Sequence, residues 1–394
     1  MLEGLDKVDW SNINHSHDKA TKIPNWIRDL ASDEKKVRSR AMSNLYEYLN
    51  HQGTLYEASA YAVPFFLELL QNNEVKVKGA ILHLINSLAS FGAYPSLKED
   101  RIFYRFKPDK KDLSLYSEWH REFEWSKWEK ELAMAEACQQ EASKGVEIYL
   151  ELLKRKNFRI KREVILLLSN FREHAPEILP TLSKILSKGK NSEILICTLA
   201  SFGVLASPDP AYYKLIENSY LSNDNEVAKL AASIAFVRIF GDAAPQEALQ
   251  TILNELDGLE KGFSTPIQKL YTIYTGSTTK VIGEVWEVFQ YLGPRQEKYV
   301  VPILIEKTQT LQSYHSLGLL ETLVHLTFNE ETSTEFPNTH LTNLQKSILQ
   351  IIYENKGVWG WGSLIFKDVL FSHGIPNKRE KLKEYLDMNE VKKK

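Results

Sequence analysis

Asp33-Glu-Lys-Lys-Val-Arg-Ser-Arg-Ala41, Asn157-Phe-Arg-Ile-Lys-Arg-Glu-Val164 and Asn223-Asp-Asn-Glu-Val-Ala-Lys-Leu-Ala231 are three variants of one helical phrase. Each opens on a polar turn and continues with apolar residues three and four positions apart, the period of a helix with one apolar face. A stripe that narrow does not hold a helix in water by itself. Copies must stack to bury it, which predicts an all-α chain built as an α-solenoid.

The surroundings of the first copy extend the pattern. Pro24 suits the first turn of a short helix carrying Trp26, Ile27 and Leu30 on one face. Ser32-Asp33 ends that helix and caps the next, which runs through Ala41, Leu45, Tyr48 and Leu49. His51-Gln-Gly-Thr54 breaks the chain, with Gly53 placed to end one helix and Thr54 to cap another. Tyr56 to Leu70 reads as a second apolar helix, kinked where Pro64 removes a hydrogen bond. Ala80, Leu84 and Leu88 repeat Ala41, Leu45 and Leu49 after about 39 residues, the spacing of two-helix repeats.

The pattern resumes after Gly145, punctuated by Pro176, Pro208 or Pro210, and Pro245. Ile165, Leu168 and Phe171 share a face, as do Leu199, Phe202 and Leu205, then Ile234, Val237 and Phe240. At typical helix lengths the chain holds roughly eighteen helices. The organisation expected is one continuous solenoid, with N-terminal repeats over 1–90 and an aromatic-rich insertion over 91–135. Central repeats then cover 136–260, and degenerate repeats with a cap cover 261–394.

Composition narrows the function classes. Of 394 residues, 43% are hydrophobic and 25% charged, and 49 Lys and Arg face 51 Asp and Glu. No whole-molecule field draws the chain to nucleic acid or an anionic membrane. Cys138 and Cys197 lie inside apolar helical patterns and read as small buried hydrophobes, not as a disulfide framework. The start Met-Leu-Glu-Gly-Leu-Asp-Lys lacks a basic-then-apolar leader, and no run reaches about 18 apolar residues, so the cytoplasm is expected.

Candidate site residues fall in five places. The insertion concentrates Trp119, Trp125 and Trp128, either filling the gap where it packs back on the array or forming a binding face. Near its tryptophans, Glu122 or Glu124 supplies the carboxylate that a lesion-recognising enzyme would need. His51, Gln52 and Tyr56 stand at a helix–helix turn, where they cap the helices or hydrogen-bond a partner. His15-x-His17-Asp18 offers imidazoles and a carboxylate but no third or fourth ligand, so no metal is assigned. It reads as a polar turn in which one histidine bonds the following helix, with His15 also a candidate partner contact. Trp359 and Trp361 in Gly357-Val-Trp-Gly-Trp-Gly362 read as a cover over the last repeat or as aromatic anchors. Lys154, Arg155, Lys156, Arg159 and Lys161 make the densest basic run, the kind of cluster that contacts phosphates; Arg162 reads as a polar ladder residue between repeats. Nucleotide-binding, hydrolase and metalloprotease signatures are missing, so no enzyme and no cofactor is expected.

A resemblance spans nearly the whole chain. Trp10, His15, Ala20, Ile23-Pro24, Asp33, Val37-Arg38, Ala41, His51 to Tyr56 and Ala62-Val-Pro-Phe65 resemble the N-terminus of a largely uncharacterised family of bacterial HEAT-repeat proteins. Gly145 to Leu153, Leu341-Thr-Asn-Leu-Gln345, Trp359-Gly360 and Gly374-Ile-Pro-Asn-Lys-Arg379 are similar to its middle and closing segments. The resemblance implies a HEAT/ARM-like right-handed αα-superhelix with an interaction role. The function expected is therefore a non-enzymatic scaffold holding a protein partner on its concave face, with a toxin-neutralising immunity protein as a specific form. The alternative is a helical-repeat nucleic-acid binder or DNA glycosylase using a basic concave groove.

Overall fold

A computed structural model describes residues 2–51, 54–90, 125–188, 192–221, 224–258, 265–275, 288–311, 313–328, 341–360 and 364–390. Among these the chain is all-α, with eighteen α-helices and no strand beyond an isolated bridge between Asn14 and Lys19. No helix is long and apolar enough among the described residues to cross a membrane. The helices divide into two compact units, parting between Ala206 and Ser207. That point falls inside the stretch read as the central repeats.

The first unit holds α1 (Ile23–Asp29), α2 (Lys35–Leu49), α3 (Glu57–Gln71), α4 (Lys78–Ala89), α5 (Trp125–Ser143), α6 (Val146–Leu153), α7 (Phe158–Leu168), α8 (Ala175–Lys188) and α9 (Ser192–Leu205). The repeated phrase does here what its chemistry dictates. Asn157 caps α7 by accepting the Ile160 N–H at 3.1 Å, the usual device for the unsatisfied first turn of a helix. Behind the cap, Val164, Ile165, Leu167 and Leu168 are fully buried. The first copy starts differently. Ser32 Oγ accepts the Glu34 N–H at 3.1 Å, and the Arg38 guanidinium covers the carbonyls of Ser32 and Asp33 at 2.8 and 2.7 Å. Glu34, not Asp33, is therefore the residue at the cap of α2. Tyr56 stands at the cap of α3 in place of Thr54, its N–H held by Ser59 Oγ at 3.0 Å. Pro64 lies within α3, as its sequence position indicates.

Side-chain bridges fix how the helices of this unit stack. Lys76 reaches from the turn before α4 to Asp33 before α2, and Arg155, before α7, reaches Asn73 before α4, each at 2.7 Å. At the other ends, Asn50 bonds Ser87 of α4, and Asn170 just after α7 bonds Asn86 of α4 at 2.8 Å. Starts therefore meet starts and ends meet ends, so α2, α4 and α7 run parallel, side by side, and α9 continues the layer against α7. α3 packs on both α5 and α6 across from that layer. The layer is one amphipathic face repeated, as burial of a narrow stripe requires.

The second unit holds α10 (Pro210–Leu221), α11 (Glu226–Phe240), α12 (Gln246–Glu255), α13 (Pro266–Thr275), α14 (Pro294–Thr310), α15 (Ser313–Thr327), α16 (Asn343–Glu354), α17 (Leu364–Ser372) and α18 (Arg379–Glu390). Asn225 caps α11, taking the N–H groups of Val227 and Ala228 at 2.9 and 3.2 Å. α11 is apolar around most of its circumference and packs on α10, α12 and α13, the signature of a central helix.

A long-range cap ties this unit together. The Asp242 carboxylate accepts the backbone N–H groups of Gly293, Arg295 and Gln296 at 2.9, 3.1 and 3.1 Å, so it neutralises the start of α14 from some fifty residues away. A Cβ at Gly293 would lie 2.6 Å from that carboxylate, which explains the glycine. Asp242→Ala is expected to destabilise the second unit by roughly 2 kcal/mol, since three charge-assisted bonds to one helix end vanish together. Urea unfolding followed by helical signal checks this, and a loss under about 0.5 kcal/mol would show the cap to be inert.

Candidate functional site

Along the middle of the first unit's parallel layer runs a connected polar line. The rings of Tyr46 on α2 and His83 on α4 have centroids 5.8 Å apart, and His83 Nδ1 meets Glu163 Oε2 on α7 at 3.2 Å. The other carboxylate oxygen of Glu163 takes two bonds from Arg162, at 2.7 and 3.2 Å, and Arg162 also bonds Glu193 on α9 at 3.1 Å. Arg162 is thus the inter-helix ladder residue its position in the phrase suggests. Glu163 is only 7% exposed. Burial opposes its charge, but the hydrogen bonds from His83 and Arg162, with their charges, prevail and hold its carboxyl below the usual glutamate value.

A groove of about 700 Å³ opens between α2 and α4 beside this line. Its apolar walls are Met42, Val77 and Ala80, and its polar ones include Ser39, Ser43, Tyr46, Glu47 and Asn50, with Lys35 and Arg38 toward one end. Seven of its ten lining residues are polar or charged, and it is open to solvent. Among the described residues, Arg38 Nε, Tyr46 Oη and Asn50 Oδ1 are shielded from bulk solvent without a hydrogen-bond partner. Each such atom costs about 1–3 kcal/mol while unpaired. Burial first, then the charge of Glu163, pushes the Tyr46 hydroxyl well above the usual phenol range, so it stays protonated and able to donate.

The N-terminal loop lies against Glu47, one of the residues lining the groove. His15 is 8% exposed, its Nδ1 accepting the N–H groups of His17 and Asp18 at 3.1 and 3.2 Å, and its ring stands edge-on to Tyr48 at 4.7 Å. Burial, then the neighbouring His17, lowers its pKa. His15 therefore builds the loop instead of presenting itself as the partner contact expected from sequence. His51 stays partly accessible and approaches Glu47 Oε1 at 2.9 Å, and Tyr56 stands at the start of α3. Trp359, in the second unit, directs its indole N–H to the carbonyls of Ile352 and Tyr353 at 3.2 and 3.1 Å, closing the end of α16. That geometry suits the covering role. Gln52, Trp119, Glu122, Glu124 and Trp361 lie outside the described residues, and Trp125 and Trp128 are placed only as backbone positions in α5.

The basic run is partly self-neutralised. Lys154 pairs with Glu151 at 2.5 Å and Arg155 is tied to Asn73. Lys156 and Arg159 are exposed and Lys161 half-buried. They join Lys35, Lys36 and Lys76 along the edge where the starts of α2, α4 and α7 meet. Tyr46, Glu47 and Asn50, which shape the groove, carry no motif; only their repeat on one helix face, every three to four residues, could have marked them.

No family model and no curated protein matches this chain. A solved structure described as an engineered protein is similar over 94% of this chain and 98% of its own, at 14% identity and a TM-score of 0.33. A likeness that slight carries no argument about fold or function.

Proposed function

We propose that the chain is a HEAT-like α-solenoid protein that binds a protein partner, without catalysing a reaction itself, through the groove between α2 and α4. The observation that carries this reading is the groove itself: a cleft on a layer of parallel helices, with apolar walls set among polar residues. Apolar contacts at Met42, Val77 and Ala80 supply affinity, and Tyr46 and Asn50 supply register. An immunity protein occupying a toxin domain is a specific form of this function, and the bacterial cytoplasm is its expected setting. Pull-down from a native lysate with a nuclease-treated parallel tests it: one dominant protein surviving nuclease supports the reading.

The edge of exposed Lys35, Lys36, Lys76, Lys156 and Arg159 favours a second reading, nucleic-acid binding aided by the positive starts of the helices they flank. Asp33 pairs with Lys76, Glu151 with Lys154 and Glu193 with Arg162, which weakens it. Arg159→Glu with Lys161→Glu separates the two. Partner capture is expected to change less than about twofold, since rim charges contribute little; loss of capture together with loss of nucleic acid in the eluate would establish the second reading instead.

A further inference from the structure

His17 and His51 lie 34 positions apart in sequence, yet both point a ring nitrogen at the same carboxylate oxygen. His17 Nε2 is 3.3 Å and His51 Nδ1 is 2.9 Å from Glu47 Oε1, and the three ligand atoms all lie within 4.8 Å of one another. We propose that His17, Glu47 and His51 form a binding site for a divalent first-row transition cation such as Zn²⁺, at the end of the groove.

Geometry supports this first. Zinc takes imidazole nitrogen at about 2.0–2.1 Å and carboxylate oxygen at about 2.0–2.2 Å, which sets neighbouring ligand atoms roughly 3.3 Å apart. Both Glu47 contacts are already near that spacing, and the wider span between the imidazoles closes by small rotations of side chains that are free to move on the solvent side. Two nitrogens and one oxygen suit zinc, cobalt, nickel and copper better than calcium or magnesium, which prefer all-oxygen sets.

The scaffold is held before any ion arrives. Glu47 and His51 sit one turn apart where α2 ends. The loop bearing His17 is pinned to that turn by Ser16, whose N–H and hydroxyl bond the carbonyls of Tyr48 and Glu47 at 3.3 and 3.2 Å. His15 fixes the turn from inside by accepting the His17 N–H, and the Tyr48 ring stands edge-on to His17 at 5.0 Å. These contacts hold the loop against the end of α2 and so limit the motion of His17 relative to Glu47. The electrostatics agree, because the C-terminal end of α2 carries the negative pole of its dipole and favours a cation there. The remaining coordination positions face solvent and take water or a partner's carboxylate, since Glu47 also lines the groove.

The test uses untagged, chelator-treated full-length protein without any partner, so its outcome is separate from that of the groove reading. Titration with Co²⁺ alone, read by visible absorption, is expected to show one equivalent bound in a site with nitrogen ligands, and Zn²⁺ is expected to displace it. His17→Ala, His51→Ala and Glu47→Gln are each expected to weaken binding at least tenfold with an unchanged melting curve. His174→Ala, which breaks an isolated His–Glu pair with Glu177 on α8, is expected to leave binding as it was. The chain has ten histidines, so weak adventitious binding is the result to exclude. No stoichiometric Co²⁺ signal, or binding that survives all three substitutions, would overturn the proposal.

Discussion

Glu163→Ala is expected to destabilise the first unit by about 3–5 kcal/mol, the cost of breaking a buried ion pair from one side. The carboxylate receives bonds from His83 on α4 and Arg162 on α7, and through Arg162 it reaches Glu193 on α9. Its removal leaves the half-buried guanidinium and imidazole facing each other across a cavity. The loss falls on the link it makes between α4, α7 and α9. Glu163→Gln keeps the shape and some of the hydrogen bonds and is expected to cost about half as much. Denaturant unfolding, with amide exchange of α4 and α7 to assign the loss to this unit, measures both. A loss below about 1 kcal/mol in the alanine variant would show the polar line to be ornamental.

The same residue sets an acid limit. Its folded pKa lies below the ordinary glutamate value, so its stabilisation is complete above about pH 4.3, where the unfolded chain is ionised too. Stability then falls as pH drops through the folded value, because the unfolded state takes the proton first. Glu163→Ala is expected to flatten that part of the pH profile.

Ser43→Trp is expected to reduce partner capture by at least about thirtyfold while shifting Tm by no more than about 2 °C. Ser43 is exposed on α2 and lines the groove, so an indole there occupies the space without entering the core. Capture at wild-type level with the groove filled would place the partner on another surface.

The helices were legible because burial follows the 3.6-residue period so closely: Ile165, Leu168 and Phe171, aligned from sequence, are all fully buried. Helix starts were less legible. Asp33 looks like a cap, but Glu34 holds that position, with the Arg38 guanidinium bonded to the carbonyls of Ser32 and Asp33. The ladder role of Arg162 could be read because the phrase repeats, so its position implied a neighbour. The groove could not, because Tyr46, Glu47 and Asn50 look like ordinary solvent-face residues until α4 is laid beside α2. His17 and His51 were each visible, but a shared oxygen between them exists only after the N-terminal loop folds onto the end of α2. Trp359 was legible as a cover, and its indole N–H does close the end of α16.

Site-specific photocrosslinking from position 43 tests the central claim most directly. A benzophenone side chain replacing Ser43, irradiated in native lysate, is expected to give one discrete protein adduct that nuclease leaves intact. The same probe at Lys184, exposed on α8 and away from the groove lining, is expected to give none. Equal adducts from both positions, or none from position 43, would contradict a partner seated in the groove.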